Sequence, residues 1–252
     1  MSALTNMIKV ETKLFLRDRA TVLFGVLFPT ALLLGLGSIP DLRTPSADLG
    51  GLRPIDVWAP TALVFGIVMI AVQHVPTVIA TYRERGILRR LSTTPVHPRN
   101  VLIAQMIVAF SSVLVSAALM IFAAWAVLGI APPEQPLKFA VAFVIGYAAV
   151  LGISMITAAV VRSSSAATSI GTLLFVVLMF FGGAFLPRAI MPEVLQTIGD
   201  FVPPGLQALI SSWSPAAGEI TGAGMSFWVQ ISVMAGIAVI TAAVAAKLFR
   251  WE

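Results

Sequence analysis

From Asn100 to Pro133 the chain carries no Asp, Glu, Lys, Arg or His, and from Val57 to Tyr82 the only titratable side chains are His74 and Tyr82 itself. Each run exceeds the ~20 apolar residues that carry an α-helix across a ~30 Å hydrocarbon core. Nothing else in the sequence restricts the fold as strongly, because a segment in lipid must satisfy its own backbone hydrogen bonds. Composition agrees: 58% of residues are hydrophobic and 11% charged, against about 45–50% and 25% in soluble domains. A net charge of +5 would suggest nucleic acid in a soluble protein. In a membrane chain, Lys and Arg instead gather beside cytoplasmic span ends, and no nucleic-acid role is assigned. With no cysteine there is neither a disulfide framework nor a thiolate metal site.

Read in order, the sequence predicts an all-α membrane protein: one transmembrane domain, 1–252, with six spans near 20–40, 57–82, 101–128, 139–161, 166–185 and 225–248. Residues 1–19 form an amphipathic interfacial helix, with Leu4, Met7, Ile8, Leu14 and Phe15 largely on one face and Lys9, Lys13 and Arg17 on another; Glu11 interrupts the pattern. Polar and charged residues recur from Asn6 to Arg19, so no secretory signal is read there. Pro29 is expected to kink the first span. Residues 41–56 and the Pro-rich 129–136 read as external turns. Prolines at 187, 192, 203, 204 and 215 break 186–224 into one or two short interfacial or re-entrant helices. Lys247, Arg250 and Trp251 form a basic, aromatic anchor.

With both termini inside, the cytoplasmic segments hold twelve of the sixteen basic residues and four of the eleven acidic ones, a net of +8 inside against −3 outside. That bias selects the N-in, C-in orientation.

The chemistry is defined mostly by what is missing. His74 and His97 have no second histidine or carboxylate at i+3 or i+4, so metal spacing is lacking. No lysine stands in Gly-Lys-Ser/Thr, so the chain has no phosphate-cradling P-loop. The expected spans contain no carboxylate, the group that carries coupling ions in secondary carriers. Work must then come from outside the membrane, and the one dense charge cluster, Tyr82-Arg83-Glu84-Arg85-Gly86-Ile87-Leu88-Arg89-Arg90-Leu91-Ser92-Thr93-Thr94-Pro95, is where it would be delivered.

That segment resembles the motif after the second span of ABC-2 type transporter permeases, Arg-Glu-Arg-(x)-Gly-x-Leu-x-x-Leu-x-x-x-Pro. The amphipathic N-terminal helix, the six spans, Gly182-Gly183-Ala184-Phe185-Leu186-Pro187, Met191-Pro192 and Phe201-Val202-Pro203 are similar to the same family, in particular its small drug-export and nodulation-type branch. The resemblance covers essentially the whole chain. It implies a multi-pass permease subunit of an ATP-driven exporter in the bacterial cell membrane, moving hydrophobic drugs or other amphipathic molecules. Export of a lipid or glycan is the alternative within that class, and a non-transporting scaffold is the alternative outside it.

The resemblance further implies two copies of a separate P-loop ATPase, a second permease as homodimer or heterodimer, and no enzymatic site here: no cofactor on this chain, with ATP and Mg on the partner. The segment after span two would be a cytoplasmic coupling helix seated in the ATPase. Ile87, Leu88 and Leu91, at i, i+1 and i+4, form an apolar knob. Arg83, Arg85, Arg89 and Arg90 form charged rims around it; Glu84 is a candidate partner for a basic residue of the ATPase. The competing reading is a solvated loop whose charges only set topology.

Gln73 and His74 lie about 13 Å from the cytoplasmic end of span two at 1.5 Å per residue, where polar groups are costly. With Met69, Phe180 and Phe181 they are candidate substrate-path or dimer-interface residues. For Gln73 and His74 the alternative is a hydrogen bond to the carbonyl freed by Pro76 or to a neighbouring helix; for Met69, Phe180 and Phe181 it is ordinary bundle packing. Gln105, Ser154, Thr157, Thr168 and Thr172 read as interhelical polar contacts.

Overall fold

The structure, a computed structural model, describes residues 3–87, 90, 99–181, 183, 185, 191–221 and 225–249. Among these, all regular structure is helical. Leu88, Arg89 and the stretch 91–98 lie outside the described residues, as do 182, 184, 186–190 and the anchor residues Arg250 and Trp251.

Helix α1 (Ala3–Arg17) precedes six helices long and apolar enough to cross a membrane, of which the first five are α2 (Arg19–Gly37), α3 (Pro54–Glu84), α4 (Arg99–Leu128), α5 (Pro136–Val160) and α6 (Ser164–Phe181). Three short helices follow, α7 (Glu193–Asp200), α8 (Leu206–Trp213) and α9 (Pro215–Ile220). The sixth span, α10 (Phe227–Leu248), closes the chain. α3 is longer than its apolar run: its terminal turns take in Asp56 and Glu84, so carboxylates stand at both ends of a span read as free of them. Asp56 is tolerated there because Arg53 pairs with it at 2.7 Å.

Pro29 in α2 and Pro76 in α3 pose the same problem, and the two spans solve it the same way. A proline clashes with the carbonyl four residues back and offers it no N–H. α2 widens into a π-helical turn at Val22–Leu27 ahead of Pro29, and α3 does so at Met69–His74 ahead of Pro76, accommodating the ring without breaking the helix. The freed Gly25 carbonyl accepts from Ser116 Oγ of α4 at 3.2 Å, and Val26 from the same hydroxyl at 3.1 Å. In α3 the Val72 carbonyl sits against α6 at Gly171.

Arginines terminate the spans. Arg43 Nε donates to Gly37 O at the end of α2, and Arg53 donates to Leu128 O and Gly129 O at the end of α4, at 3.2 and 3.3 Å. A cation at a helix C-terminus meets orphan carbonyls and the negative end of the dipole. Lys138 lies 5.6 Å above the Phe227 ring, a cation–π contact. Three of the four basic residues read as external therefore hold the fold together at that end.

The chain between spans five and six folds back into the bundle. α8 buries Leu206, Leu209, Ile210 and Trp213, and the backbone after α4 closes over its end: Glu134 N–H donates to Trp213 O at 2.9 Å and Gln135 N–H to Ser212 O at 3.1 Å. Its one buried amide is satisfied, with Gln207 Nε2 donating to Gly218 O at 2.8 Å and Thr221 Oγ1 donating to Gln207 Oε1 at 3.1 Å. α7 stays more open, with Val194 70% exposed.

Candidate functional site

The basic segment begins where α3 ends, and two adjacent side chains fix that end. Arg83 donates from Nη1 to Ala158 O at 3.0 Å and Val161 O at 2.7 Å, the last carbonyls of α5, and its guanidinium lies 5.3 Å above the Phe249 ring. Glu84 accepts from the Ser164 N–H at 3.1 Å and from Ser164 Oγ at 2.8 Å, at the first turn of α6. Each charge sits at the helix end whose dipole it complements. The turn between spans four and five is thus clamped to the base of span two.

Past the clamp the chain turns sharply. Gly86 has φ +66°, a left-handed conformation that costs an L-residue roughly 1–2 kcal/mol, and its N–H donates to Arg83 O at 3.0 Å, ending the helix as a glycine C-cap does. Helical bonding resumes at once, with Arg90 N–H donating to Gly86 O at 3.1 Å. Arg85 and Arg90 are exposed and Ile87 is half-buried. Leu88, Arg89 and Leu91, the remainder of the expected knob and rim, lie outside the described residues. Of the expected rim, Arg83 is turned into the fold, and Glu84, the candidate partner for a basic residue of the ATPase, is engaged with Ser164.

On the other side of α3, the interfacial helix docks through the residue that interrupted its pattern. Glu11 is 3% exposed, and Tyr82 Oη donates to its two carboxylate oxygens at 3.0 and 2.9 Å, a charge-assisted bond. Burial pushes the Glu11 carboxyl above its ordinary range, with the Tyr82 bond opposing that shift. At the next bend Asp18 accepts from Thr21 N–H and Oγ1, and Thr21 Oγ1 meets His74 Nδ1 at 3.2 Å. The His74 contact, 3.5 Å from Asp18 Oδ2, and the Thr21 bonds hold the Asp18 carboxyl well below the usual carboxylate range despite partial burial. The Phe15 ring stands edge-on to His74, centroids 5.1 Å apart. His74, 7% exposed, faces α1 and α2.

Gln73, its neighbour, faces the opposite way. Gln73 Nε2 donates to Thr172 Oγ1 of α6 at 3.1 Å, and Thr77 and Thr168 pair one turn on at 3.4 Å. Phe65, Met69, Gln73 and Thr77 follow at spacing four, all half-buried, beside the exposed Thr168 and Thr172. The open face of α3 and α6 is therefore polar toward the basic end. It becomes aromatic beyond, where Phe65 packs on Phe28 and Phe175 with centroids 4.7 and 5.1 Å apart. Phe180 and Phe181, a T-shaped pair, stand at the far end of α6, about 12 Å from Thr172 at 1.5 Å per residue. The structure thus places Met69 and Gln73 on one open stripe, His74 in the fold behind it, and the two phenylalanines at its distant end. Of the polar spans residues, Ser154 bonds within its own helix to Leu151 O.

Sequence reasoning missed the clamp and the Glu11 dock. A signal existed for the first: Ser163-Ser164-Ser165 ahead of an apolar run is a helix-start pattern that lacks an acidic residue of its own, and Glu84 supplies one from another helix.

A search of curated proteins finds no match. A family model described as ABC-2 type transporter matches residues 2–205, a stretch that includes α1, the clamp, the open face and the first five spans. Domains of this kind are multi-pass, permease-type membrane domains rather than catalytic ATPases, and they generally work with an ATPase subunit. The chain belongs to the ABC-2 type transporter family.

Proposed function

We propose that the chain is the permease subunit of an ATP-driven exporter of hydrophobic or amphipathic small molecules, with its basic end in the cytoplasm. Two copies of a separate P-loop ATPase bind ATP and Mg and push on the segment that starts at Gly86. The observation that carries this reading is the clamp: displacement of the segment pulls on α5 through Arg83 and on α6 through Glu84. A push at one point then moves three spans, the coupling that alternating access needs.

The path follows the open stripe of α3 and α6. Polar side chains at membrane depth are costly against lipid, so the Gln73–Thr172 and Thr77–Thr168 pairs are best covered by a second permease, with substrate passing between the two stripes. Homodimer and heterodimer both meet this requirement. The test is reconstitution with a cognate P-loop ATPase: ATP turnover rises with the chain present, and Ile87→Asp abolishes co-purification while membrane insertion persists. ATP turnover indifferent to the chain would overturn the proposal.

A further inference from the structure

Beneath α1, at the basic end of the bundle, lies a cavity of about 260 Å³ between α1, α3 and α4. Its walls include both carboxylates of the docking region, Glu11 and Asp18, together with His74, Tyr82, Phe15 and Gln105, and no Lys or Arg among the described residues. In a chain of net charge +5, two carboxylates converge on a cavity whose described wall holds no Lys or Arg, only the titratable His74 beside Asp18. A partly buried carboxylate is costly without a compensating charge; Glu11 has only the neutral Tyr82 donor, while Asp18 has Thr21 and, at 3.5 Å, the His74 ring.

A second observation is independent of the acids. Gln105 of α4 is 2% exposed, and its Nε2 finds no hydrogen-bond partner in the fold. A buried donor left unsatisfied costs about 1–3 kcal/mol. Gln105 is thus a polar group of the cavity wall whose Nε2 donor the fold leaves unused. Among the described residues no group of three His, Cys, Asp or Glu side chains could hold a metal ion, which leaves an organic cation as the class to test.

We propose that this cavity is a binding site for a small amphiphilic ammonium compound bearing a hydroxyl or ether oxygen. Its cation lies between Glu11 and Asp18, its oxygen accepts from Gln105, and its apolar body rests on Phe15 and Tyr82, rings that also favour a cation. Asp18, whose side chain is 42% exposed, marks the mouth. The site lies on the side of α3 that faces α1 and α4, meets the open stripe only at Thr77, and depends neither on an ATPase nor on the direction of transport. Its cation could be a soluble amine or the ethanolamine headgroup of a lipid, which present the same chemistry.

The test uses the purified full chain in nanodiscs and equilibrium binding of phenylethanolamine. The comparators are phenylethanediol, in which a hydroxyl replaces the amine, and phenethylamine, which lacks the hydroxyl. Wild-type protein binds phenylethanolamine tenfold or more tightly than the diol, and Glu11→Gln and Asp18→Asn each remove that preference. Gln105→Leu keeps the preference for amine over diol but binds phenylethanolamine no better than phenethylamine. Weaker binding in phosphatidylethanolamine discs than in phosphatidylglycerol discs, beyond the difference that Gln105→Leu and Asp18→Asn retain, identifies the lipid headgroup as the competing cation; equal binding identifies a soluble amine. Thermal melting verifies each variant's fold, and Asp18→Asn carries the comparison should Glu11→Gln not fold. Equal wild-type affinity for amine and diol, or a folded Asp18→Asn that keeps the preference, overturns the proposal.

Discussion

Glu84 and Ser164 are joined twice: one carboxylate accepts both the backbone N–H and the hydroxyl of Ser164, at 3.1 and 2.8 Å. The acid ends α3, the serine opens α6, and eighty residues separate them. Glu84→Ala leaves the first turn of α6 without this acceptor while the segment beyond Gly86 keeps its own residues. The expected result is a several-fold loss of transport per ATP hydrolysed with undiminished ATPase co-purification. Ser164→Ala shifts transport the same way by less, because the N–H bond survives, and the double variant is no worse than Glu84→Ala, since the two substitutions remove one interaction. Loss of ATPase binding in Glu84→Ala would instead place the carboxylate in the partner contact.

Arg83 holds the other half of the clamp with Nη1, bonded to two carbonyls. Arg83→Met retains the aliphatic stem but abandons the end of α5, a loss of about 1–2 kcal/mol for a partly buried cation at a helix C-terminus. Arg83→Lys recovers part of this, since an ammonium is a compact point charge with neither the planar fork nor the stacking surface of a guanidinium for the Phe249 ring. Thermal unfolding in detergent should rank wild type above Lys above Met.

Gly86 separates backbone strain from crowding. A Cβ built there meets none of the described residues within 4 Å, yet φ is +66°, so Gly86→Ala clashes with none of them and carries the left-handed conformational cost of roughly 1–2 kcal/mol. Relief comes by redirecting the chain after the clamp. Coupled ATPase activity should therefore fall more than thermal stability does; equal wild-type coupling would show that the direction set at Gly86 is immaterial.

Gly146 tests the opposite case. A Cβ there would stand 2.2 Å from the Pro204 carbonyl oxygen and 3.1 Å from its carbonyl carbon, a backbone contact that cannot swing aside. Gly146→Ala must push the connection ahead of α8 away from α5, and overpacking of this kind costs about 1–3 kcal/mol or more. Lower expression of folded protein and faster proteolysis within 191–221 are the expected readouts.

The six spans were legible because lipid leaves one solution to a long apolar run, and the basic segment because charge is rare in such a chain. Glu11 shows where legibility stopped. On a helix wheel it spoils the apolar face of α1, and only Tyr82, brought alongside by the fold, turns the blemish into the dock. Gln73 and His74, adjacent in sequence, shared one reading, but successive helical residues diverge by about 100°, and the fold sends one to Thr172 and the other to Thr21. Arg83 read as a rim charge because composition cannot show that the end of α5 lies beneath it. The three helices between spans five and six were harder to delimit, since five prolines in 187–215 punctuate the chain without saying which pieces re-enter the bundle.

Glu11 also makes the dock responsive to pH. Burial raises its carboxyl above the ordinary 4.5, and the Tyr82 bond only partly offsets this. A group that holds its proton more tightly in the fold than in the unfolded chain lends stability as pH falls through its folded pKa, and withdraws it as pH rises. Glu11→Gln keeps an oxygen to accept from Tyr82 but cannot titrate. In detergent without added amine, the variant should melt at or above the wild-type temperature at about pH 8, where wild type buries a carboxylate. That advantage should shrink steadily towards about pH 5 as wild type takes up its proton. An advantage that stays constant across this range would mean that Glu11 does not titrate within it, and that the dock is insensitive to proton uptake.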